Sequence, residues 1–428
     1  LFDSLSSWSI WNSPLVPWLA NRRVHTLPLY DLTAKKARFA KSRERVRPLP
    51  NAEPDPIEFS AWRLAHAVKK AECTKPLMPH VARIASLGFV LENNHLFDWH
   101  SDNFRLANDA IAALEDFSRT GLAGRVAQGM AMLCMEQQGY AFVDRFSAFC
   151  RRHNVSTTTI GKRNKLVKRK TPDFVFEKDA KNRALVEAKG GFVAEGSLAN
   201  IKGELADALE QLAPWGGQFN PSINKKFAIG TFLRELGDEH EEQSLIALVD
   251  PDGEQNAEYE EVPPESIRRA NYAAWLRGMG YGAVSQRITS SDREGSFSAK
   301  FLVSEFLDRE YAIVPLGWVA PHDGSLLTEL RYLDDWIDDP VFLYRSARRA
   351  NARIVVAALD FNILRTIGTS STRNEWSELL DIQPNPSMDY ESNRQYAEGS
   401  SFADGSFFGA MKPNIPLHHF LRVEKVDF

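Results

Sequence analysis

Apolar residues recur along this chain at two spacings, and the change from one to the other divides it. Phe59–Cys73, Met78–Ser86 and Asn103–Phe117 carry apolar positions about 3.6 residues apart and predict helices, the third with Asp102 or Asn103 as its cap. Residues 1–118 are therefore expected to form a mostly helical region. After Gly121 the pattern shifts. Gly124–Gln138 predicts a helix with Val126, Met130, Leu133 and Gln137 on one side, and Gly139 is placed to stop it. Tyr140–Phe146, Asp173–Phe176, Ala184–Lys189, Lys226–Leu233 and Ser244–Val249 read as strands, with Leu198–Leu212 as a helix among them. That order describes one α/β sheet domain over residues 119–250. Pro251–Ser266 is acidic, contains Pro-Asp-Gly and Pro-Pro, and predicts a boundary. Beyond it, a helix at Ile267–Met279 and strands at Phe301–Phe306, Tyr311–Pro315 and Arg353–Asp360 predict a second α/β unit over residues 267–428, whose role the sequence does not indicate.

Composition narrows the class. A chain of 428 residues exceeds what one core usually holds, so two or three domains are expected. At 43% hydrophobic and 25% charged, it is neither disordered nor fibrous. No apolar run reaches the roughly 20 residues that cross a bilayer, so no membrane partner is expected. The chain opens on Leu1 rather than Met, and Leu15–Leu27, cut by Pro17 and Arg22–Arg23, does not read as a signal peptide. Cys73, Cys134 and Cys150 lie far apart, which argues against a disulfide framework, a zinc finger or an iron–sulfur cluster and for a reducing, cytoplasmic setting. The net charge of −4 conceals blocks. Arg151–Lys170 holds eight Lys/Arg and no acid, Lys35–Arg47 seven against one Glu, and Glu235–Glu265 twelve acids with no Lys or Arg. Two basic surfaces able to meet phosphate follow, unless these are merely solvated faces and tails.

The strongest chemical signal is Thr171-Pro172-Asp173-Phe174-Val175-Phe176, a polar turn of seven residues, then Ala184-Leu185-Val186-Glu187-Ala188-Lys189-Gly190. Side chains alternate along a strand, so Glu187 and Lys189 point the same way. Asp173 and Glu187 are 14 residues apart, and an antiparallel hairpin centred near Ala180 sets them opposite each other on that face. Phe174, Phe176, Val186 and Ala188 then form the core face. Two carboxylates with an amine beside them suit Mg²⁺ or Mn²⁺ and the hydrolysis of a phosphodiester. Pro-Asp recurs at Pro54-Asp55 and Pro251-Asp252, but acid-x-Lys inside an apolar strand occurs only at Glu187–Lys189.

At these residues the chain resembles the PD-(D/E)xK nuclease superfamily, whose fold is restriction-endonuclease-like: a mixed sheet flanked by helices. The likeness covers about residues 120–250. It implies a metal-dependent nuclease in which Asp173 and Glu187 hold the metal, the Ala188 carbonyl adds a ligand and Lys189 serves the attacking water. It also implies an acidic or amide residue on the preceding helix. Gln128 fits that place by position, in departure from the more usual Glu, and Glu136 is the rival. Gln211, on the helix after the motif, is a weaker candidate for touching the nucleophile or phosphate.

Lys162, Arg163, Lys165, Lys168, Arg169 and Lys170 immediately precede the strand of Asp173 and offer phosphate contacts that position a nucleic acid without reading its sequence. The expectation is an endonuclease acting on DNA, by analogy in microbial restriction or phage defence. RNA as substrate, or a non-catalytic nucleic-acid-binding scaffold, are the alternatives. Cutting both strands suggests a homodimer, and the missing GxxxxGK[ST] leaves room for an ATPase or recognition partner. Gly278-x-Gly280-x-Gly282 reads as a helix end and turn, His418-His419 as structural, and Asp334, Asp335, Asp338 and Asp339 as a solvated helix face around a buried Trp336 and Ile337. Asp360 is expected at a strand end, where α/β sites often lie.

Overall fold

A computed structural model of the protein describes residues 23–33, 56–74, 89, 93–160, 166–215, 219–220, 223, 225–238, 242–250, 260–290, 295–319, 326–327, 337–349, 352–385, 388–390, 397–411 and 421–428. The chain is mixed α/β and forms two compact units. One comprises His25–Glu58 and His95–Ala274, the other Leu1–Val24, Phe59–Asn94 and Trp275–Phe428. This division differs from the three expected regions: the N-terminal stretch is shared between the two units, and the first unit runs on to Ala274.

The first unit is built on a six-stranded mixed sheet. Its strands are β1 (Leu29–Asp31), β2 (Phe142–Arg145), β3 (Phe174–Asp179), β4 (Asn182–Phe192), β5 (Lys225–Leu233) and β6 (Leu245–Val249), in spatial order β1-β6-β5-β4-β3-β2. β4 runs parallel to β5 and antiparallel to β3, and β1 joins the far edge parallel to β6. The Asp250 N–H donates to the Thr33 hydroxyl beyond that pairing, joining residues 217 apart. Among the first unit's described residues are four helices: α1 (Asp116–Gln137), α2 (Phe146–Arg152), α3 (Ile201–Leu212) and α4 (Ser266–Gly278), of which the last continues past Ala274.

Helices cover both faces of the central strands. A Cβ on Gly190 of β4 would stand 2.2 Å from the Ala123 carbonyl oxygen and 2.9 Å from the Ala127 Cβ, so α1 approaches β4 at a distance only glycine allows. On the other face, a Cβ on Gly230, which pairs with Lys189, would meet Leu205 of α3 at 3.4 Å. Val175 and Leu185 are consequently as buried as Phe174 and Val186. The expected one-sided core is thus a two-sided one, as sheets carrying parallel crossovers require. α1 is buried nearly all round from Leu122 to Glu136, and Gln137 is exposed. Gly139, at φ +85°, closes it: its N–H donates to the Glu136 carbonyl and that of Tyr140 to the Met135 carbonyl, the paired bonds of a left-handed helix stop.

Among the described residues of the N-terminal region, the expectation of mostly helix holds in part. Ala61–Cys73 is a helix, capped by the Ser60 hydroxyl, but His25–Leu27, Leu29–Asp31 and Ile57–Phe59 are strands. Asn103–Phe117 is not a helix: Arg105–Leu106 is a short strand, turns follow, and α1 begins at Asp116. Its apolar spacing serves tertiary contacts instead. Phe104 packs against His25, Phe97 and Trp99, while the Leu106 amide and carbonyl bond to Arg234 and Leu236. Met78–Ser86 lies outside the described residues.

The second unit holds a sheet of antiparallel neighbours: β7 (Ser298–Phe306), β8 (Arg309–Val319), β9 (Arg353–Asp360), β10 (Met388–Tyr390), β11 (Ala397–Ser401), β12 (Ser406–Met411) and β13 (Arg422–Asp427), ordered β10-β11-β12-β9-β8-β7-β13. Gly280, at φ +99°, turns the chain after α4, as its sequence predicts. Asp360 caps the following helix α5 (Phe361–Arg373) through the amides of Asn362 and Ile363, a structural duty. Asp338 and Asp339 are exposed beside buried Ile337, whereas Asp334, Asp335, Trp336 and His418-His419 fall outside the described residues. Among the described residues no helix is long and apolar enough to cross a membrane.

Candidate active site

The β3–β4 hairpin has the register its sequence predicts. Phe174 pairs with Val186, Val175 with Leu185 and Phe176 with Ala184, which sets Asp173, just before β3, across from Glu187. The two carboxylates are tied through the backbone. The Asp173 N–H donates to Glu187 Oε2 (3.1 Å), and the Ala188 N–H donates to Asp173 Oδ2 (3.1 Å). Lys189 Nζ lies 3.0 Å from Glu187 Oε1. Gln128 Nε2, from α1, donates to Asp173 Oδ1 (3.2 Å). The close approach permitted by Gly190 is what brings this part of α1 to the hairpin, since Gln128 follows Ala127 directly.

Glu136 does not share that place. It lies eight residues farther along α1, about 12 Å at 1.5 Å per residue, and is buried near the helix end. Gln211 is half-buried in the last turn of α3 and takes no part in the bonds joining Asp173, Glu187, Lys189 and Gln128. Lys168 and Lys170 are exposed just before the hairpin. The Lys170 carbonyl accepts from the Trp215 indole (2.9 Å), and the Arg169 guanidinium lies 5.7 Å from that ring, so the basic strand is anchored beside the site. Lys162, Arg163 and Lys165 lie outside the described residues.

Electrostatics set burial against the cations around the carboxylate pair. Burial, and then the charge of Asp173, push the Glu187 carboxyl up to about 7. Burial also raises Asp173, against the opposing pull of the Ala188 amide, Arg145 and Lys189. Each of the four carboxylate oxygens accepts one hydrogen bond, which leaves lone pairs on all four. A hard divalent cation suits this donor set: carboxylate oxygens with spare lone pairs, partly withdrawn from water. Among the described residues no three His, Cys, Asp or Glu side chains converge to hold a metal, so a cation here would rest on two carboxylates and complete its shell with backbone oxygen and water.

Sequence reasoning missed two residues. Arg145 ends β2 opposite Phe174, and its charge reaches Asp173. Its signal was the Asp144-Arg145 pair closing an otherwise apolar strand. Glu204, in the first turn of α3, is half-buried, and burial raises its carboxyl while the Lys189 charge lowers it. Nothing in a helix-starting Glu distinguishes it by sequence. Comparison of the chain with protein-family models, with curated proteins and with solved structures finds no match in any of the three.

Proposed function

We propose that the first unit is a divalent-metal-dependent nuclease of the PD-(D/E)xK kind, with a restriction-endonuclease-like sheet, cutting DNA. The observation that carries this reading is the convergence of Asp173, Glu187 and Lys189 on one hairpin, with Gln128 bonded to Asp173 from the neighbouring helix. Asp173 and Glu187 would hold Mg²⁺ or Mn²⁺, with the Ala188 carbonyl as a further oxygen; when bound, the metal polarises a phosphoryl oxygen and acidifies a water. The protein's own groups supply the rest. Lys189, held by Glu187, orients the attacking water and stabilises charge on the phosphate. Gln128 fixes the rotamer of Asp173. Lys168, Arg169 and Lys170 draw the nucleic acid backbone towards the site. A role in microbial restriction or phage defence is the setting in which such an activity fits.

Incubation of supercoiled plasmid with Mg²⁺, Mn²⁺ or EDTA, wild type beside Lys189→Ala, tests the reading. Metal-dependent nicking or linearisation that the variant lacks supports it. Cutting by Lys189→Ala at the wild-type rate refutes the site, and cutting of single-stranded or duplex RNA but not DNA moves the substrate.

A further inference from the structure

Among the described residues of this unit, Arg145 differs from a set of arginines whose guanidinium groups are paired. Arg183 and Arg268 bind the Glu177 carboxylate, Arg152 binds Asp144, Arg234 binds Asp238 and Glu242, and Arg269 pairs with Glu265. The Arg145 backbone N–H donates to Asp144 Oδ1 (2.7 Å), but its guanidinium makes no hydrogen bond or ion pair with any described residue, and its Nη1 is closed off from solvent. A guanidinium carries five donors, and leaving one buried and unmade costs stability. Such a cost is expected where a ligand supplies the acceptor.

Its position says which ligand. Arg145 pairs with Phe174, the residue after Asp173, and the Phe146 N–H donates to the Asp173 carbonyl (3.1 Å), so the backbone holds Arg145 next to Asp173, on the side of the sheet that α1 covers and from which Gln128 reaches that carboxylate. Of the two cations whose charge lowers Asp173, Arg145 acts more strongly than Lys189. Yet the two groups form no ion pair, which leaves the fork of N–H donors for another anion. The charges then balance. Asp173 and Glu187 are offset by Lys189 and Arg145, and a divalent cation adds two positive charges. A phosphodiester brings one negative charge and its pentacovalent transition state a second, which neutralises the assembly.

Resting on the nuclease reading above, we infer that Arg145 is a phosphate-binding residue of this site, gripping non-bridging oxygens of a nucleic acid phosphodiester through its planar fork. The test is fluorescence anisotropy of a labelled 20-base-pair duplex in EDTA across a salt series, paired with Mg²⁺-dependent cleavage. Wild type, Arg145→Gln and Arg145→Lys are compared, each after a thermal melt to establish folding. Arg145→Gln is expected to weaken binding about tenfold and reduce the log K against log salt slope by about one, with a larger loss in kcat. Arg145→Lys should recover the slope but not the turnover, because an ammonium keeps the charge and loses the fork. Wild-type affinity, slope and kcat in a folded Arg145→Gln overturn the assignment while the nuclease reading stands. A wild type that neither binds nor cuts nucleic acid overturns both.

Discussion

At one end of the β3–β4 hairpin Glu177 stands across from Arg183; at the other, in the same register, Asp173 stands across from Glu187. Both ends bury carboxylates. Glu177 is fully buried and its charge is met on both oxygens, by Arg183 (3.2 Å) and by Arg268 of α4 (2.7 Å). Arg183 in turn donates to the Pro264 carbonyl (2.6 Å), so this end ties α4 to the sheet. Asp173 and Glu187 instead face each other with one ammonium, which is bonded to Glu187. Satisfied burial gives a strut. Unsatisfied burial, next to a basic strand, gives the place where the proposed cation and phosphate would bind.

The comparison can be broken from either end. The largest effect expected is on activity: Lys189→Ala or Asp173→Asn should reduce plasmid cleavage by about 10³-fold or more, about 4 kcal/mol of barrier, with little change in melting temperature. The reverse profile is expected at the strut. Glu177→Gln leaves two buried guanidinium groups without their anion and should cost about 3 kcal/mol of stability by urea titration, cleavage of the folded fraction being retained.

Next comes pH. The Glu187 carboxyl sits at about 7 in the folded chain against an ordinary 4.5. The folded state therefore holds a proton that the unfolded chain releases. Its contribution to stability is full below about pH 4.5 and is lost as pH rises through about 7. In metal-free buffer at pH 8, Glu187→Gln should stabilise the protein by on the order of 2 kcal/mol, the gain shrinking towards pH 5. Mg²⁺ should raise the melting temperature of the wild type at pH 8 and leave that variant unmoved. A further test sharpens the comparison through the scaffold. Gly190→Ala should push α1 from β4 at a cost of about 1–3 kcal/mol and lower cleavage through the lost Gln128 contact, while Gly191→Ala, with only the Phe232 ring 3.5 Å away, should do neither.

How much of this the chain disclosed beforehand follows the range of the interactions involved. The hairpin was legible because its register depends on local alternation and one turn, and Asp173, Glu187 and Lys189 came with it. Gln128 was legible from its place on a long apolar helix. Arg145 was not, because its meaning comes from pairing with β3 across a 28-residue gap, shown only when Arg145 meets Phe174. Asn103–Phe117 misled for the same reason. Leu106, Ala110, Leu114 and Phe117 have helical spacing, yet Phe104 and Leu106 find their partners in His25, Trp99 and Arg234, and distant contacts outweigh a weak local preference.

The edge strand β1 has a consequence in time. It leaves the ribosome well before β6, its hydrogen-bonding partner, and the Thr33–Asp250 bond closes a loop of 217 residues. At roughly 5–20 residues per second, synthesis takes on the order of 10–40 s to deliver that partner. Throughout that interval Leu29 and Leu32, buried in the finished protein, have no sheet to join. The first unit therefore cannot complete its sheet domain by domain behind the ribosome. Joining β1 to β6 is a closure of high contact order, expected to set the slowest phase of refolding and to be a step exposed to capture by a chaperone.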